Sequence, residues 1–377
     1  MNPTQETRDK IAVALLAWFQ RHKRDLPWRG ATPYGVWVSE IMLQQTQVVT
    51  VIPFYLRFME RFPTVTALAE ASIEEVLTYW AGLGYYARAR NLHRAAQRVA
   101  EEFGGVVPSD PVDIESLPGI GRYTAGAILS IAYSVPRPIV DANVIRVLSR
   151  VFGITGDPKS SVNQDTLWGL AEQLVPKVNP GDFNQGLMEL GALVCEPVEP
   201  RCDTCPLLTF CVAGHSPDPT ALPEIPPRKT AVSVTHVSVL IRNEKGELLL
   251  TQRPLHGLWG GLWEFPRVIL RVGETPQEAG LRAGREVAGY EISLSKQIAK
   301  IKHSVTHHRI TLYGFLASPL DISPLEHPHR VLWILPSELD RYALSAPQVL
   351  LRNAIQMLLV EEKQGTVQPI LDFMPQD

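Results

Sequence analysis

All the cysteines of the chain lie in one short segment whose spacing suits a metal site. They are Cys195, Cys202, Cys205 and Cys211, in the pattern C-x6-C-x2-C-x5-C. Thiolates this close together can ligate a metal ion or an iron–sulfur cluster. Zinc sites with four cysteines more often consist of two C-x-x-C pairs, and this segment has one such pair, Cys202 and Cys205. The spacing favours a 4Fe–4S cluster over zinc; the third alternative is a set of separate structural cysteines.

A second candidate site is a turn with two glycines, Leu117-Pro118-Gly119-Ile120-Gly121, between a short predicted helix at 111–116 and a longer helix. Glycine allows a tight turn whose backbone N–H groups point outward. Such N–H groups at a helix N-terminus suit a phosphate oxygen, with a monovalent cation or Ca²⁺ as a bridging ion. The alternative is an ordinary helix–helix turn.

Two carboxylates have surroundings that favour different protonation states. Asp141 stands at the predicted start of a helix, where an Asp is most often an N-cap. Backbone amides that hold a carboxylate also favour its ionised form. Glu40 is expected to be half-buried, which would raise its pKa and keep it protonated near neutrality, as a general acid requires. Its neighbours are apolar: Trp37, Val38, Ile41, Met42 and Leu43. The alternative for Glu40 is a place at the edge of a helix face.

The elements that must position these groups are helices. Apolar periodicity predicts helices at 8–22, 36–50, 64–80, 87–102, 122–133, 143–152, 163–175 and 184–194. Glu40 therefore lies within a helix, while the glycine turn and Asp141 each precede one. The first 216 residues are predicted to form an all-α domain that ends with the cysteine loop, residues 195–211.

The pattern changes after this domain. Residues 213–228 are rich in proline, which predicts an extended linker at 217–230. Strands are then expected at 234–241, 247–252, 296–304 and 308–316, with helices at 277–287 and 347–359. The fold class is therefore multidomain: an all-α domain followed by an α+β domain at 231–362 and a flexible tail at 363–377.

Charge and hydropathy limit the classes of protein. The net charge is −3 and the pI is near 6.4, so nucleic-acid binding would need a local basic patch or backbone amides. Four arginines at helical spacing could form such a stripe, although a solvated helix face is the alternative: Arg88, Arg90, Arg94 and Arg98. The chain shows neither a membrane-spanning run nor a secretory signal. We therefore expect a cytoplasmic protein, which makes disulfides the weaker interpretation of the cysteines.

Together these pieces resemble the MutY-type adenine DNA glycosylases, which have an endonuclease III-like helix-hairpin-helix domain and a Nudix-like domain. The resemblance covers nearly the whole chain. Its fragments are Leu26–Arg29, Ser39–Val48, Gly82–Leu92, the glycine turn, Val140–Val144, Met188–Ala192, the cysteines and Gly257–Pro266.

The resemblance implies excision of adenine mispaired with 8-oxoguanine or guanine in double-stranded DNA, by a monomer with a 4Fe–4S cluster. The adenine must leave the base stack. Glu40 would protonate adenine N7, and Asp141 would stabilise the resulting sugar cation, electrostatically or through a transient covalent bond. Tyr123 and Asn143 align with positions that support this site. The protein would associate with the nucleoid during repair.

The resemblance also implies a set of substrate-binding residues. Trp28, Arg29 and Gln185 align with the adenine pocket, while Gln45 and Tyr85 align with residues that insert into the duplex beside the lesion. Further DNA contacts fall within the same fragments: Thr46, Leu83, Arg88, Gly119 and Gly121.

Two departures from relatives refine this interpretation. Bifunctional relatives carry a Lys just after the hairpin glycine that forms a Schiff base; here Arg122 and Tyr123 follow Gly121, which favours a monofunctional glycosylase. Nudix hydrolases need paired glutamates, and Gly289 and Tyr290 stand in their place, so pyrophosphate hydrolysis is not expected. A bifunctional glycosylase and a non-catalytic DNA-binding protein are the alternatives.

The second domain is expected to read the lesion instead. A Phe-Ser-His hairpin performs part of this task in the family, and the aligned residues here are Val305, Thr306 and His307. Thr306 keeps the hydroxyl that can bond the lesion's base edge, whereas Val305 in place of Phe is a departure.

Overall fold

The computed structural model describes residues 3–226, 231–254, 259–305, 308–321, 330–364 and 371–373. The chain divides into two compact units. The first comprises Met1–Ala71 with Asn91–Pro227, and the second comprises Ser72–Arg90 with Arg228–Asp377. The sequence predicted a boundary near the linker, but not that residues 72–90 would group with the C-terminal part of the chain.

The first unit is helical, as predicted. Most of its helices start at a Ser, Thr or Asp whose side chain accepts a hydrogen bond from a backbone N–H of the first turn, which satisfies one of the free N–H groups there. The helices are α1 (Gln5–His22), α2 (Pro33–Leu43), α3 (Val48–Arg61), α4 (Val65–Glu70), α7 (Pro111–Glu115), α8 (Arg122–Tyr133), α9 (Ala142–Phe152), α10 (Ser161–Leu174) and α11 (Pro180–Leu193). Helix α5 (Ile73–Trp80) belongs to the second unit, and α6 (Ala87–Glu102) runs from one unit into the other.

Two predicted helices are interrupted. The helix expected at 36–50 ends at Leu43, because Gln45 has a left-handed backbone with φ 55°. Helix α3, which was not predicted, then follows; it buries Val51, Tyr55 and Phe58 on one face and holds Pro53 within it. The helix expected at 64–80 is divided at Ser72, which caps α5.

The core of the first unit lies where α1, α8, α9, α10 and α11 meet. Its side chains come from each of these helices and are almost fully buried: Leu15, Phe19, Ala127, Val147, Leu167, Phe183 and Leu187. Burial of this kind is worth roughly 1.5–3 kcal/mol for each large apolar side chain. The core therefore fixes the helices on which Tyr123, Asp141 and Gln185 lie.

The second unit contains two sheets and confirms the predicted α+β class. Its strands are β1 (Val232–Ile241), β2 (Leu248–Gln252), β3 (Trp263–Glu264), β4 (Arg267–Ile269), β5 (Ile292–Val305), β6 (His308–Pro319), β7 (Arg330–Ile334) and β8 (Leu371–Phe373). One sheet has the order β4-β1-β6-β5-β8, with β1 parallel to β6 and β8 parallel to β5; the other has the antiparallel order β3-β2-β7.

Several of these strands were not predicted, because they are short or follow few turn signals. Strands β3, β4, β7 and β8 are of this kind, and β8 lies where a loose tail was expected. Helices α12 (Pro276–Ala283) and α13 (Ala346–Gln364) pack against the sheets. In the segment predicted as a linker, residues 219–221 form a short 3₁₀ turn.

Residues 72–90 are held to the rest of the second unit by hydrogen bonds. The Tyr86 hydroxyl donates to the Leu344 carbonyl at 3.2 Å, and Arg90 Nη1 donates to the Gly260 carbonyl at 2.6 Å. The segment that carries Tyr85 is therefore anchored to the α+β part of the chain.

Candidate active site

A cavity of about 1280 Å³ in the first unit brings together most of the predicted catalytic and base-binding residues. Helices α2, α8, α9 and α11 form its walls, together with the segments that flank α2. It is lined by Trp28, Arg29, Glu40, Gln45, Thr46, Tyr123, Asp141, Asn143 and Gln185, among others. A cavity of this size can hold a purine base with its sugar.

Glu40 and Tyr123 form a buried hydrogen-bonded pair. Glu40 lies in the C-terminal half of α2 and is only 4% exposed. The Tyr123 hydroxyl, near the start of α8, donates to Glu40 Oε2 at 2.9 Å and lies 3.3 Å from Met188 Sδ. Burial raises the pKa of Glu40 to about 7, an effect that the Tyr123 hydrogen bond opposes and the nearby Asp141 charge reinforces. A proton is therefore available on Glu40 at neutral pH.

Tyr123 stays protonated over the whole physiological range. Burial and the neighbouring carboxylates Glu40 and Asp141 raise the pKa of its hydroxyl well above the ordinary value. A protonated phenol is a hydrogen-bond donor, so Tyr123 orients Glu40 and cannot remove its proton.

Asp141 is the N-cap of α9 and is held by two donors. The Val144 backbone N–H donates to Oδ1 at 2.7 Å, and Asn143 Nδ2 donates to Oδ2 at 3.0 Å. The sequence predicted that these amides would favour ionisation. They do lower the pKa of Asp141, but burial is the larger effect and the pKa lies above its ordinary value.

Arg146 links Asn143 to the cysteine loop and was not among the predicted site residues. Its Nη2 donates to Asn143 Oδ1 and to the Gly191 carbonyl, both at 2.8 Å, and its Nε donates to the Cys195 carbonyl at 2.7 Å. A β-carbon on Gly191 would approach Asn143 Cβ to 2.6 Å, so glycine is needed for this close packing. Asn143 is thereby held from two sides.

Charged and amide side chains form another wall of the cavity. The buried carboxylate of Glu189 accepts from Arg24 Nε at 2.9 Å and lies 3.2 Å from Arg29 Nη2. Arg29 Nη1 also donates to Gln185 Oε1 at 2.6 Å. Despite its burial, the pKa of Glu189 is lowered by Arg24 and Arg29. Arg24 and Glu189 were missed as site residues, although Glu189, like Glu40, is an acid among apolar helix neighbours.

Trp28 and Thr46 also line the cavity. Trp28 is buried and packs edge-on against Tyr55, with ring centroids 5.4 Å apart. Thr46 Oγ1 donates to the Gln44 carbonyl at 3.3 Å. Gln45, which precedes Thr46 in sequence, is exposed and has the left-handed backbone already described.

Tyr85, in the second unit, shares this conformation. Its φ is 49° and its side chain is 47% exposed. Non-glycine residues with positive φ are uncommon and concentrate at functional sites. Gln45 and Tyr85, which the family resemblance assigned to duplex insertion, are both exposed and left-handed, as are Ser134 and Asn179 elsewhere in the first unit.

Two other predicted DNA contacts are buried. Leu83 is 5% exposed and Arg88 is 8% exposed. Arg88 Nη2 donates to the carbonyls of Leu83 and Gly84, so the predicted arginine stripe lacks an exposed guanidinium at this position. Arg98 pairs with Glu102 at 2.8 Å on the helix surface. This pairing agrees with the alternative interpretation of the arginines, a solvated helix face.

The glycine turn has the predicted geometry of a helical hairpin. It connects α7 to α8, Ile120 N donates to the Leu117 carbonyl at 3.1 Å, and Gly121 is the N-cap of α8. Gly119 has φ 80°, and a β-carbon there would approach Asn91 Cβ to 2.6 Å. Gly121 has φ −106° and open space where a β-carbon would project. The first glycine is thus needed by the fold, while the second leaves room in front of the helix.

The four cysteines line one small cavity at the C-terminal end of this unit. Arg150, which is buried, places Nη1 3.4 Å from Cys195 Sγ and donates to the carbonyls of Glu196 and Pro197. Burial raises the pKa of Cys205 to about 11, and the neighbouring thiols contribute. Within the described part of the chain, no three Cys, His, Asp or Glu side chains converge closely enough to hold a metal ion. Four thiols that line one cavity together with the Arg150 side chain nevertheless fit an anionic thiolate-ligated group.

In the second unit, the side chain of Arg282 in α12 pairs with two nearby glutamates, Glu274 and Glu286. Arg282 Nε lies 2.7 Å from Glu274 Oε1, and its Nη1 lies 3.2 Å from Glu286 Oε2. Tyr290 is buried and packs edge-on against Trp333. Neither arrangement offers the paired free glutamates of a Nudix hydrolase. Thr306 and His307 lie outside the described residues. Among the described helices, none is long and apolar enough to cross a bilayer.

Comparison with known proteins agrees with both halves of this description. A family model for the HhH-GPD superfamily base excision DNA repair protein matches residues 38–173, and a NUDIX domain model matches residues 237–353. The human protein named Adenine DNA glycosylase is 38% identical over 88% of this chain and 71% of its own length. The Schizosaccharomyces pombe protein of that name is 32% identical over 96% of this chain and 92% of its own length.

A solved structure is also similar to the helical part. It is a thermostable thymine-DNA glycosylase, which matches with a TM-score of 0.50 and 33% identity over 54% of this chain and 95% of that chain. The identity to the human and Schizosaccharomyces pombe relatives extends over most of both chains. The chain belongs to the adenine DNA glycosylase family.

Proposed function

We propose that the protein is a monofunctional glycosylase that hydrolyses the N-glycosidic bond of adenine opposite 8-oxoguanine, or opposite guanine, in duplex DNA. The observation that carries this proposal is the pair of buried carboxylates in one cavity. Glu40 titrates near neutrality beside the phenol of Tyr123, and Asp141 is held by Val144 and Asn143.

The two carboxylates divide the chemistry. Glu40 would give its proton to N7 of adenine, so that the base leaves with the electron pair of the broken C1′–N9 bond as a neutral molecule. The sugar becomes cationic as the bond breaks, and ionised Asp141 would stabilise that charge. Water then adds to C1′, its excess proton passes to the Glu40 carboxylate, and an abasic site is left. Divided protonation states of this kind are typical of glycoside hydrolysis.

The charged wall of the cavity suits the edge of adenine. Adenine carries a donor at N6 and acceptors at N1 and N7. The Glu189 carboxylate can accept from N6, and the Arg29 and Gln185 side chains carry donors for N1. Because Arg24 and Arg29 keep Glu189 ionised, the wall offers acceptor and donor groups at one pH.

The absence of an amine next to the hairpin supports monofunctional chemistry. A Schiff base requires a lysine amine at the sugar, and Tyr123 stands after Arg122 where bifunctional relatives have the lysine. Borohydride treatment during turnover should therefore trap no protein–DNA adduct. Efficient trapping would favour the bifunctional alternative.

The cysteine loop would hold a 4Fe–4S cluster through Cys195, Cys202, Cys205 and Cys211. When bound, the cluster would supply covalent cross-links that fix the loop, since four thiolates fill its ligand positions. The raised pKa of Cys205 means that cluster binding must displace protons. Anaerobically purified protein should be yellow-brown with about four irons per chain; stoichiometric zinc would contradict this. Cys202→Ser should lower folded yield and DNA binding together.

The second unit would supply the preference for 8-oxoguanine. The lesion differs from guanine by an oxygen at C8 and a proton at N7, and one or two hydrogen bonds to these groups are worth about 1–3 kcal/mol of discrimination. Thr306 and His307 remain the predicted readers. Thr306→Ala should reduce the preference for 8-oxoguanine over guanine several-fold while single-turnover excision continues; an unchanged preference would shift the role to other residues.

Other substrate contacts are proposed on the same basis. The hairpin would bind a backbone phosphate through its N–H groups, with a monovalent cation or Ca²⁺ between turn and phosphate, and the protein would act as a monomer. Gln45 and Tyr85 would insert beside the lesion.

One experiment tests the central proposal. Single-turnover release of free adenine is measured from a duplex with 8-oxoguanine opposite adenine, and from matched duplexes with guanine or thymine opposite adenine. We expect fast release from the first, slower release from the second and none from the third. Tight binding to all three duplexes without adenine release would favour the non-catalytic alternative.

A further inference from the structure

The turn that carries Tyr85 is built around a buried arginine. Arg88, in the first turn of α6, places its guanidinium carbon 5.5 Å from the ring centroid of Trp80 and 5.4 Å from that of Tyr85. A guanidinium at this distance from an aromatic face is attracted to it, and more strongly when water is excluded. With 8% of its surface exposed, Arg88 is largely excluded from water.

The same side chain satisfies the backbone of the turn. Arg88 Nη2 donates to the Leu83 carbonyl at 3.3 Å and to the Gly84 carbonyl at 3.1 Å. Trp80 Nε1 donates to the Gly84 carbonyl as well, at 3.1 Å. The carbonyls just before Tyr85 are thus held by the two side chains that stack with each other.

These contacts surround an unfavourable backbone conformation. Tyr85 has φ 49°, and Gly82 and Gly84 before it also have positive φ, at 100° and 78°. Glycine adopts these angles readily, but a residue with a β-carbon does so only where its surroundings hold it there. In this turn the guanidinium of Arg88 lies against the Tyr85 ring and at the same time binds the preceding carbonyls.

We propose that Arg88 is a positioning residue that holds Tyr85 in its exposed, left-handed conformation before DNA binds. The inference rests on the proposed function, in which Tyr85 inserts into the duplex. A side chain that is already oriented loses less conformational entropy on binding, so the affinity for the mispair increases while the bond-breaking step is untouched. Lysine cannot replace arginine here, because an ammonium lacks the planar face and the forked donors.

A double-mutant cycle tests this inference through binding. Dissociation constants for the 8-oxoguanine–adenine duplex are measured for Arg88→Lys, Tyr85→Ala and the double variant, all in a Glu40→Gln background so that the adenine is retained. With Tyr85 present, Arg88→Lys should weaken binding roughly 2- to 30-fold, the range of cation–π energies. In the Tyr85→Ala variant, Arg88→Lys should change the affinity by no more than about twofold. The reason is that Arg88 then has no Tyr85 ring left to position.

A second readout separates positioning from a general loss of structure. The second measurement uses protein that retains Glu40. Here Arg88→Lys should raise the protein concentration that half-saturates single-turnover excision. The maximal rate constant should stay within about twofold of that of the unmodified protein. The matched control is Arg57→Lys, because Arg57 is exposed and lies 5.0 Å over the Phe54 ring, away from the cavity. This variant should change neither quantity.

Equal weakening by Arg88→Lys with and without Tyr85 would overturn the inference, and so would a fall in the maximal rate constant at unchanged half-saturation. Unmodified protein that binds the duplex but releases no adenine would contradict the proposed function alone. The binding cycle would still decide the role of Arg88.

Discussion

The hydroxyl of Tyr123 donates a 2.9 Å hydrogen bond to Oε2 of Glu40 inside a cavity that also contains Asp141. This contact lowers the pKa of Glu40, whereas burial and the Asp141 charge raise it, and the balance lies at about 7. Both effects can be altered separately by mutation.

The rate of excision should therefore depend on pH. Glu40 must be protonated, so the single-turnover rate should decline as pH rises through about 7, and it should decline at acidic pH where Asp141 becomes protonated. Tyr123→Phe removes a hydrogen bond that favours the ionised carboxylate, so it should move the alkaline decline to higher pH. A rate that stays constant to pH 9 would exclude Glu40 as the acid.

Glu40→Gln should abolish excision and stabilise the fold. Since the folded-state pKa of about 7 exceeds the ordinary value of 4.5, the folded protein binds more protons than the unfolded chain between these values. Its stability therefore falls as pH rises through this window. Gln lacks this penalty, so at pH 8 the variant should be more stable by about 1–3 kcal/mol. Urea unfolding at pH 4 and pH 8 measures the difference, which should vanish at pH 4.

Asp141→Asn should abolish excision and leave mispair binding largely intact. Asn is also a good N-cap, so α9 keeps its first turn. The lost charge acts mainly on the cationic transition state, and a cost of about 3 kcal/mol or more is expected for a preorganised charge of this kind. Single-turnover kinetics and duplex affinity are measured together. Near-normal excision would remove Asp141 from its role.

Some parts of this site follow from local sequence, and others depend on tertiary contacts. Glu40 was predicted to be half-buried from its apolar neighbours, and it is buried more deeply than that, with 4% of its surface exposed. Arg88 was a candidate for a basic stripe on a helix face, but its side chain is only 8% exposed. Its helical spacing gave no indication of the aromatic rings of Trp80 and Tyr85 that cover it.

Other features had no local signal at all. Gln45 interrupts the predicted helix at 36–50 with a left-handed backbone. No glycine or proline beside it in sequence indicates this break. Arg24 pairs with Glu189, 165 residues away in sequence, and Arg146 donates to the carbonyls of Gly191 and Cys195, which lie 45 and 49 residues away. Periodicity and capping rules describe neighbours along the chain, so contacts of this kind require the folded structure.

The two hairpin glycines should behave differently on substitution. Gly119→Ala places a β-carbon 2.6 Å from Asn91 Cβ at φ 80°, so it should lower the unfolding free energy by about 1–3 kcal/mol. Gly121→Ala meets open space at φ −106° and should fold almost normally, yet its methyl group stands where a phosphate would approach the N–H groups. Thermal unfolding and duplex affinity separate the two. Normal DNA binding by Gly121→Ala would place the phosphate elsewhere.

Arg146→Lys should slow excision more than it weakens binding. Lysine cannot contact Asn143, Gly191 and Cys195 at once, so Asn143 loses the contact that orients its amide toward Asp141. We expect roughly a tenfold slower single-turnover rate, the effect of about 1.4 kcal/mol. Arg137→Lys is a control in a loop outside the cavity. Equal losses of rate and iron content would instead indicate damage to the cysteine loop alone.

The phenol at position 123 has a wider consequence for what this scaffold can catalyse. A lysine there would place an ammonium beside Glu40, and that charge would hold the carboxyl in its ionised form. An amine able to attack the sugar and an acid able to protonate the base are thus competing uses of one location. The hydroxyl of Tyr123 does more than omit a nucleophile: it is a neutral neighbour that lets the acid keep its proton. A protonated lysine at this position and a protonated acid at Glu40 therefore oppose each other in this architecture.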